Sequence, residues 1–397
     1  MRQLLLIRPK PLADELFSSW IVRLAWANGQ KLHPFTHKIL GLTSRIWNKD
    51  PDRGVPADQI ELIATVTGIS TEVIQETTLS SYAKVVLDGN GRQWILPIGH
   101  RARYWMRPGL QICPVCLASD AVPYFRKRWR LAFVTCCVEH RVVLIDRCKQ
   151  CNQPISPHTG DYKSKILRDE FSWVLCYHCG ADFRQINTFP ATNGAINTAK
   201  YLINGLVDQW IQIGERSVHS RLGFDGLHVL CRMLCSNTRS RRFAICVSDG
   251  MGELSFPSEF MTRKQSFEEL EVTERHRIIT MLNWLLAEWP TRFLWAGRRA
   301  RLSKAYIRGA DSDLPYWLSI EVEWELDGGY YVPNEDERQA LLVYLERLGL
   351  STAENNLRRW LGQSYVSGHK TSDPLAPRGK KWPGYAKMKS RDRIEPL

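Results

Sequence analysis

The sequence contains no apolar run that approaches the ~20 residues of a membrane-spanning helix. Its hydrophobic residues 4–7 are followed by Pro9 and Pro11, and they are too few for the core of a secretory signal peptide. The sequence also lacks a phosphate-binding P-loop, a Gly-x-Gly-x-x-Gly turn before a helix, and a His-Glu-x-x-His pair. We therefore expect a cytoplasmic protein that is not a P-loop ATPase.

Residues for catalysis are also scarce. Asp311, Asp313 and Glu321 offer carboxylates for a metal-dependent nuclease, but cutting by two metals needs several carboxylates that converge. No such set is marked in the sequence, and no Ser/His/Asp or Cys/His set stands apart from the cysteine motifs described below. Scattered surface acids are the better interpretation. We expect no enzymatic activity, and nicking of DNA with Mg²⁺ would contradict this.

The composition is that of a globular chain, with 397 residues, 44% hydrophobic and 24% charged. This length allows two or three domains with their own cores. The formal net charge is +13, which favours nucleic acid or an acidic partner, although a merely basic protein would look the same.

Cysteine is abundant and regularly spaced between residues 113 and 179. Four motifs each place two ligand-type residues around a two-residue gap. They are Cys113–Cys116, Cys137–His140, Cys148–Cys151 and Cys176–Cys179. A tight turn of this kind presents two soft donors to one tetrahedral metal, and two turns complete the shell.

The order of the motifs predicts two structural zinc ions. The first would bind Cys113, Cys116, Cys137 and His140, and the second Cys148, Cys151, Cys176 and Cys179. All four positions of each shell are filled by protein, which leaves no place for an activated water. Disulfides or a redox pair are the alternatives, and a reducing cytosol disfavours disulfides. Cys137 is preferred over Cys136 because it keeps the gap to His140. His178 is expected to be a bystander, although it can replace a cysteine.

Residues 1–90 are predicted to form a small helical domain. Asp14 is expected to cap a first helix that ends at Asn28-Gly29. A helix after Pro56, a turn at Gly68 and a helix over residues 71–79 predict a helix-turn-helix. The last helix carries two Glu and no Lys or Arg, so protein docking is favoured over reading of bases.

Basic residues lie among aromatic ones at two places near the cysteine motifs. Residues 91–107 carry Arg92, Arg101, Arg103 and Arg107 beside Trp94, Tyr104 and Trp105. This mixture suits contact with the nucleic-acid backbone and base stacking, or else a linker that packs its aromatics inward. The second place is residues 124–130. Trp129 and the nearby Phe133 are expected to pack inside, while Arg126, Lys127 and Arg128 are expected to face solvent.

The region after residue 190 is predicted to be helical, with helices over residues 197–212, 223–235, 267–288 and 334–348. Residues 314–326 alternate in polarity, which fits a strand or a short helix followed by an extended run. Arg298, Arg299 and Arg301 begin a second basic patch on residues 293–307, for which a solvated helix face is the alternative. Helices at 334–348 and 352–361 make a candidate second helix-turn-helix. Its last helix offers Asn355, Arg358 and Arg359 to phosphates and base edges.

The predicted fold is thus mainly α. It comprises an N-terminal helix-turn-helix domain (1–90), a central double zinc-ribbon or knuckle region (91–190), a helical C-terminal domain (191–366) and a basic, flexible tail (367–397).

Several short motifs carry a family resemblance over about residues 9–180. They are Pro11, Asp14-Glu15-Leu16, Ser18-Ser19-Trp20, Arg23 and Ala25, then Cys113-Pro114-Val115-Cys116-Leu117, Pro123-Tyr124-Phe125, Trp129-Arg130, Cys137-Val138-Glu139-His140 and Leu144. Together with the later cysteine pairs, they resemble TniQ/TnsD proteins. The doubled Cys136-Cys137 departs from the pattern, and the region beyond residue 180 matches only in length and helical character.

The resemblance implies a non-enzymatic selector of target sites in bacterial transposition. Such proteins neither cut nor join DNA, and they recruit an AAA+ regulator that brings the transposase. Some bind an attachment site directly, while others, in CRISPR-associated transposons, form homodimers on an RNA-guided Cascade complex. The alternative is a sequence-specific DNA-binding protein, either an attachment-site reader or a transcription regulator.

Overall fold

The computed structural model describes most of the chain, with gaps. The described residues are 4–42, 46–86, 93–98, 100, 101, 104, 105, 107, 109–159, 172–235, 240–252, 266–308, 314–326, 335–353, 356 and 357. The chain divides into two compact units, Met1–Asn237 with Ser255–Trp284, and Thr238–Leu254 with Leu285–Leu397. The domain boundaries expected near residues 90 and 190 both fall inside the first unit.

The described residues are mainly helical, as the sequence predicts. The α-helices are α1 Phe17–Ala27, α2 Leu32–Pro34, α3 Ala57–Thr67, α4 Thr71–Glu76, α5 Ala83–Val86, α6 Pro114–Ser119, α7 Asn193–Asp208, α8 Ser220–Cys235, α9 Ser240–Gly250, α10 Val272–Ala287, α11 Thr291–Ala300, α12 Lys304–Arg308, α13 Tyr316–Glu321 and α14 Glu335–Arg347. Helices of 3-10 type cover Ile46–Asn48, Pro51–Arg53, Leu79–Tyr82, Lys127–Arg130, Pro157–Thr159, Ser172–Val174, Phe183–Gln185 and Phe267–Glu269, and π-turns cover Phe35–Ile39 and Val322–Leu326. None of these described helices is both long and apolar enough to cross a membrane.

Strands are short and occur in antiparallel pairs within the described residues. They are β1 His100–Arg101 with β2 Tyr104–Trp105, β3 Cys136–Cys137 with β4 Val142–Val143, and β5 Trp210–Ile213 with β6 Arg216–His219.

Helix α1 is buried along most of its length and is tied to the central segment. The Leu16 N–H donates to the Phe125 carbonyl at 2.9 Å, and the Phe125 N–H donates to Ser19 Oγ at 3.0 Å. The expected cap at Asp14 is wrong, because the helix begins after Leu16 and no side chain caps it. Asp14 instead has a positive φ of 57° and pairs with Arg128 at 3.2 Å.

Helices α3 and α4 are joined by the predicted glycine turn. Gly68 ends α3 with a left-handed φ of 70°, and Ser70 caps α4 by accepting from the Val73 N–H at 3.5 Å. Ile60, Ile63 and Ile74 face the interior. The two helices are present as expected, and their use as a helix-turn-helix stays a prediction.

An aromatic cluster around Trp94 forms part of the core of the first unit. The Trp94 ring makes edge contacts with Phe133, Phe224, His228 and Phe267 at 5.3–5.9 Å between centroids. Trp94 is 0% exposed, so it cannot stack on a nucleic-acid base in this structure. The inward-packing interpretation therefore holds for this residue.

The helix predicted over residues 197–212 ends early. Gln209 adopts a left-handed φ of 60° after α7, and Trp210 starts the hairpin of β5 and β6. Ile211 of this hairpin fits against two helical glycines. A Cβ on Gly205 or Gly223 would lie 2.2 or 2.1 Å from an atom of the Ile211 side chain.

The described residues of the second unit are mainly helical, and the strand considered for residues 314–326 is absent from them. Residues 314–326 form α13 and a π-turn rather than a strand, with Trp317, Leu318 and Val322 buried on one side. The basic patch on residues 293–307 spans two helices, because Arg301 has a left-handed φ of 54° and ends α11. The helix predicted over residues 267–288, most of which lies in the first unit, is divided into a 3-10 turn and α10.

Candidate metal centres and nucleic-acid interface

The first predicted ligand set converges on one point. The ligand atoms of Cys113, Cys116, Cys137 and His140 all lie within 4.8 Å of one another. His140 Nδ1 is 3.7, 3.3 and 3.5 Å from the sulfurs of Cys113, Cys116 and Cys137, and the Cys116 and Cys137 sulfurs are 3.6 Å apart. The three cysteines are buried and His140 is partly exposed.

The second predicted set converges in the same way. The sulfurs of Cys148, Cys151, Cys176 and Cys179 lie within 4.8 Å of one another, with Cys148–Cys179 and Cys151–Cys176 each at 3.5 Å. Cys151 and Cys179 are partly exposed, so this site is closer to solvent than the first.

Three of the four motifs share one turn. In each, the N–H four residues after the first ligand donates to that ligand's carbonyl, at 2.8–2.9 Å. The donating residue has a left-handed φ. These residues are Arg141 at 56°, Asn152 at 59° and Gly180 at 78°. The fourth motif uses α6 instead, where Cys113 Sγ accepts from the Cys116 N–H at 3.4 Å and Pro114 opens the helix.

Both sets fit a tetrahedral metal of zinc's size. Zn–S bonds of about 2.3 Å and Zn–N bonds of about 2.0 Å at tetrahedral angles place sulfurs about 3.8 Å apart and sulfur and nitrogen about 3.5 Å apart. The observed separations of 3.3–3.7 Å are close to these values. The eight residues can therefore hold two metal ions.

The thiols of the first cluster lie close enough to interact electrostatically with one another. Hydrogen bonds from Cys116 and Cys137 lower the pKa of Cys113, and the reciprocal interactions raise the pKa of Cys116. Neighbouring thiols cannot all ionise together without a cation. Cys136 lies outside the cluster on β3, and burial raises its pKa to about 12, so it is a neutral core thiol. The choice of Cys137 agrees with the geometry.

The basic residues beside the first site are engaged within the protein. Arg126 is 8% exposed and forms a bidentate pair with Asp120 at 2.9–3.1 Å, so the expectation that it faces solvent is wrong. Lys127 Nζ donates to the Glu76 carbonyl at 2.5 Å and to Ser81 Oγ at 3.0 Å. Arg128 pairs with Asp14 and Glu139. Lys127 and Arg128 are partly exposed.

The second basic patch lies on the surface of the second unit. Arg298, Arg299 and Arg301 are all exposed. Arg298 pairs with Glu325 at 2.6 Å, while the Arg299 guanidinium lies 5.8 Å from the Trp295 ring centroid. Trp295 is 43% exposed and was not singled out by the sequence.

The remaining predicted contacts lie outside what the structure describes. Arg103, Asn355, Arg358, Arg359 and the basic tail are not described, and Arg101 is described only in its backbone. Their roles stay predictions.

Sequence reasoning missed a buried ionic network that positions the central segment. Arg130 is 0% exposed and donates to Asp50, Asp52 and the Leu96 carbonyl at 2.6–3.1 Å. Asp52 also accepts from Ser18 on α1. No periodicity marks such a network, because its members come from four separate segments.

A second buried cation was missed as well. Arg275 is 0% exposed and donates to the Leu270 and Ala132 carbonyls and to Gln111 at 2.9–3.2 Å. Its burial lowers its pKa to about 10. It joins α10 to the segment that precedes the second half of the first site.

The comparison with known families agrees with the motifs. The TniQ family model matches residues 6–144. Residues 6–144 are therefore similar to TniQ proteins, as the sequence motifs indicate. The match includes all four residues of the first cluster and ends before Cys148, so the second cluster is not covered by it. No curated protein matches the chain. A TniQ domain implies a role associated with transposition, in target selection or DNA binding.

Proposed function

We propose that this protein is a non-enzymatic adaptor for target-site selection in bacterial DNA transposition. It links a target-recognition complex, either RNA-guided Cascade or the attachment site itself, to an AAA+ transposition regulator. The observation that carries the proposal is the TniQ match over residues 6–144, which contains the complete first ligand set. Cytoplasmic location and a homodimer belong to the same proposal.

The two clusters would bind structural Zn²⁺. Four protein ligands in each leave no open position, and metal bound in such a closed shell stabilises the fold rather than activating water. Zinc would hold the turns at Cys137 and Cys148 together with their distant partners. The chain's own contribution is to supply thiolates in turns that are already hydrogen-bonded.

The exposed arginines of the second unit support contact with nucleic acid. Arg298, Arg299 and Arg301 lie close in sequence on or beside α11, and a row of this kind attracts phosphate in a salt-dependent way. Arg126, in contrast, is paired with Asp120, so it should attract nucleic-acid phosphates less strongly than the sequence led us to expect.

Binding to a random duplex DNA library at about 150 mM salt tests how the target is read, because backbone attraction is partly screened there. The adaptor hypothesis predicts salt-sensitive binding without an enriched motif, together with binding of an AAA+ transposition regulator. Enrichment of one motif would instead favour the alternative, a direct sequence-specific DNA-binding protein. Failure to bind the regulator under any condition would contradict the adaptor role.

A nuclease is the enzymatic alternative. Glu321 is 8% exposed at the end of α13, whereas Asp311 and Asp313 lie outside the described residues. Incubation with Mg²⁺ and supercoiled DNA should leave the DNA intact, and nicking that is lost in Glu321→Gln would overturn the non-enzymatic proposal.

A further inference from the structure

The surface of α3 and α4 has the opposite charge to the chain as a whole. No Lys or Arg occurs between residues 54 and 83, although the formal net charge is +13. Asp58, Glu61, Glu72 and Glu76 are all exposed on these two helices. Hydrogen bonds from its own backbone N–H and from Thr71 lower the pKa of Glu72, so this carboxylate is ionised at neutral pH.

An apolar segment runs beside this surface. We call residues 4–8 the N-terminal arm. The Leu5 N–H donates to the Val66 carbonyl of α3 at 2.9 Å, which places the arm along the end of that helix. A Cβ on Gly68 would lie 3.7 Å from Leu4 Cδ2 and 3.1 Å from Arg8 Nη1. The arm therefore reaches the turn that precedes α4.

The arm is unusually exposed for its composition. Leu4, Leu6 and Ile7 are 54%, 98% and 54% exposed, and Val73 on α4 is 41% exposed. Isolated exposed apolar residues are common, whereas three of four consecutive residues on the arm expose apolar side chains, which is a feature of binding surfaces.

The charge at this surface decides between classes of partner. Among the described residues, Arg8 on the arm and Lys127, whose Nζ donates to the Glu76 carbonyl, place cations beside this surface. Four exposed carboxylates outnumber them. Phosphates would be repelled here, which disfavours DNA, whereas lysine and arginine side chains would be attracted.

We propose that the N-terminal arm and the acidic surface of α3 and α4 dock a basic amphipathic helix of a protein partner. The aliphatic side chains of the arm and Val73 would cover the apolar face of that helix, and the carboxylates would pair with its cations. The proposal rests on the proposed function only for the partner's part in transposition, because the contact can be measured without any transposition component.

The probe is a labelled amphipathic helical peptide of leucine and lysine, titrated with the full-length zinc-loaded protein at about 150 mM salt and followed by fluorescence anisotropy. The cationic peptide should bind although the protein has a positive net charge, because the surface of α3 and α4 is locally negative. Leu6→Ser and the double variant Glu72→Lys/Glu76→Lys should each weaken binding at least about fivefold.

Matched controls use exposed residues outside this surface. Val207 is 76% exposed, and Asp208 and Glu215 are exposed, so Val207→Ser and Asp208→Lys/Glu215→Lys repeat the same changes elsewhere. These variants should bind the peptide as the unaltered protein does. A peptide with glutamate in place of lysine should not bind.

The proposal would be overturned if the test and control variants lost peptide affinity equally. It would also be overturned if the glutamate peptide bound as tightly as the lysine peptide. Weaker binding of duplex DNA in Leu6→Ser, with unchanged peptide binding, would show instead that the arm contacts DNA. The library experiment reports on target reading and the peptide titration on this surface, so either proposal can fail while the other stands.

Discussion

Arg130 offers the sharpest test of what holds the first unit together. Its guanidinium is fully buried and donates four hydrogen bonds, two to Asp50, one to Asp52 and one to the Leu96 carbonyl. Asp52 is itself 0% exposed, and burial raises its pKa to about 6 even with the arginine in place. Arg130→Met would leave Asp52 buried without its cation.

Removal of one partner from a buried ion pair costs about 3–5 kcal/mol. We expect Arg130→Met to lower the free energy of unfolding by that amount in urea at pH 7.5, followed by circular dichroism. Amide hydrogen exchange at Ser18 and along α1 should accelerate in parallel, which localises the effect. The triple variant Arg130→Met/Asp50→Asn/Asp52→Asn should recover a large part of the lost stability, because none of the three side chains then carries a charge.

The pH dependence has a definite sign. A group whose pKa is higher in the folded state than in the unfolded state stabilises the fold at low pH. This stabilisation is lost as the pH rises through the pKa of the folded state. Loss of the cation raises the pKa of Asp52 further. The free energy of unfolding of Arg130→Met should therefore be closest to that of the unaltered protein near pH 4–5, and the difference between the two should be largest above pH 7.

An exposed pair provides the control. Arg184 pairs with Asp182 at 2.7 Å and is 36% exposed in its side chain. Arg184→Met should cost no more than about 1 kcal/mol, as exposed ion pairs do. If Arg130→Met costs as little as Arg184→Met, or if the triple variant is no more stable than the single one, the assignment of a buried ionic network is refuted.

Three further predictions follow from the site and its surroundings. Cys148→Ser should reduce the bound zinc measured by mass spectrometry from two ions to one, whereas Cys136→Ser should retain both; retention of two ions in the first variant would contradict the second site. Burial lowers the pKa of His276 to about 4. The unfolded chain therefore binds a proton at this residue more readily than the folded protein, and about 3 kcal/mol of folding stability that is present above pH 6.5 is lost as the pH falls towards 4. His276→Gln should flatten that part of the stability profile, and an unchanged profile would argue against it. Gly205→Ala should cost about 1–3 kcal/mol in a thermal unfolding assay because its Cβ meets Ile211, and Ile211→Ala in the same chain should reverse part of that loss.

The ligand sets were predictable because spacing alone defines them. A two-residue gap between ligands brings both to one turn, and the order of four such turns was enough to pair Cys113 with His140 and Cys148 with Cys179. The helices of the first unit were predictable for similar local reasons, as the glycine turn at Gly68 and the serine cap at Ser70 illustrate.

Features that depend on distant residues were not predictable. Arg126 was expected to face solvent, but Asp120, six residues away, binds it in a buried pair. Residues 314–326 alternate in polarity like a strand, yet helical packing buries Trp317, Leu318 and Val322 together. Trp210 was placed in a helix because its spacing fits α7, and the left-handed Gln209 breaks that helix.

The contacts of Trp94 and Arg275 bear on how the protein is synthesised. Glu268 accepts from the Trp94 N–H and Arg275 donates to the Ala132 carbonyl, across 174 and 143 residues of chain. At translation rates of about 5–20 residues per second, about 10–35 s separate the emergence of Trp94 from that of Glu268. During this interval the amino-terminal half leaves the ribosome with part of its core uncovered. A fragment that ends at residue 144 would remain in that state, and the segment that matches the TniQ model is therefore not expected to fold alone.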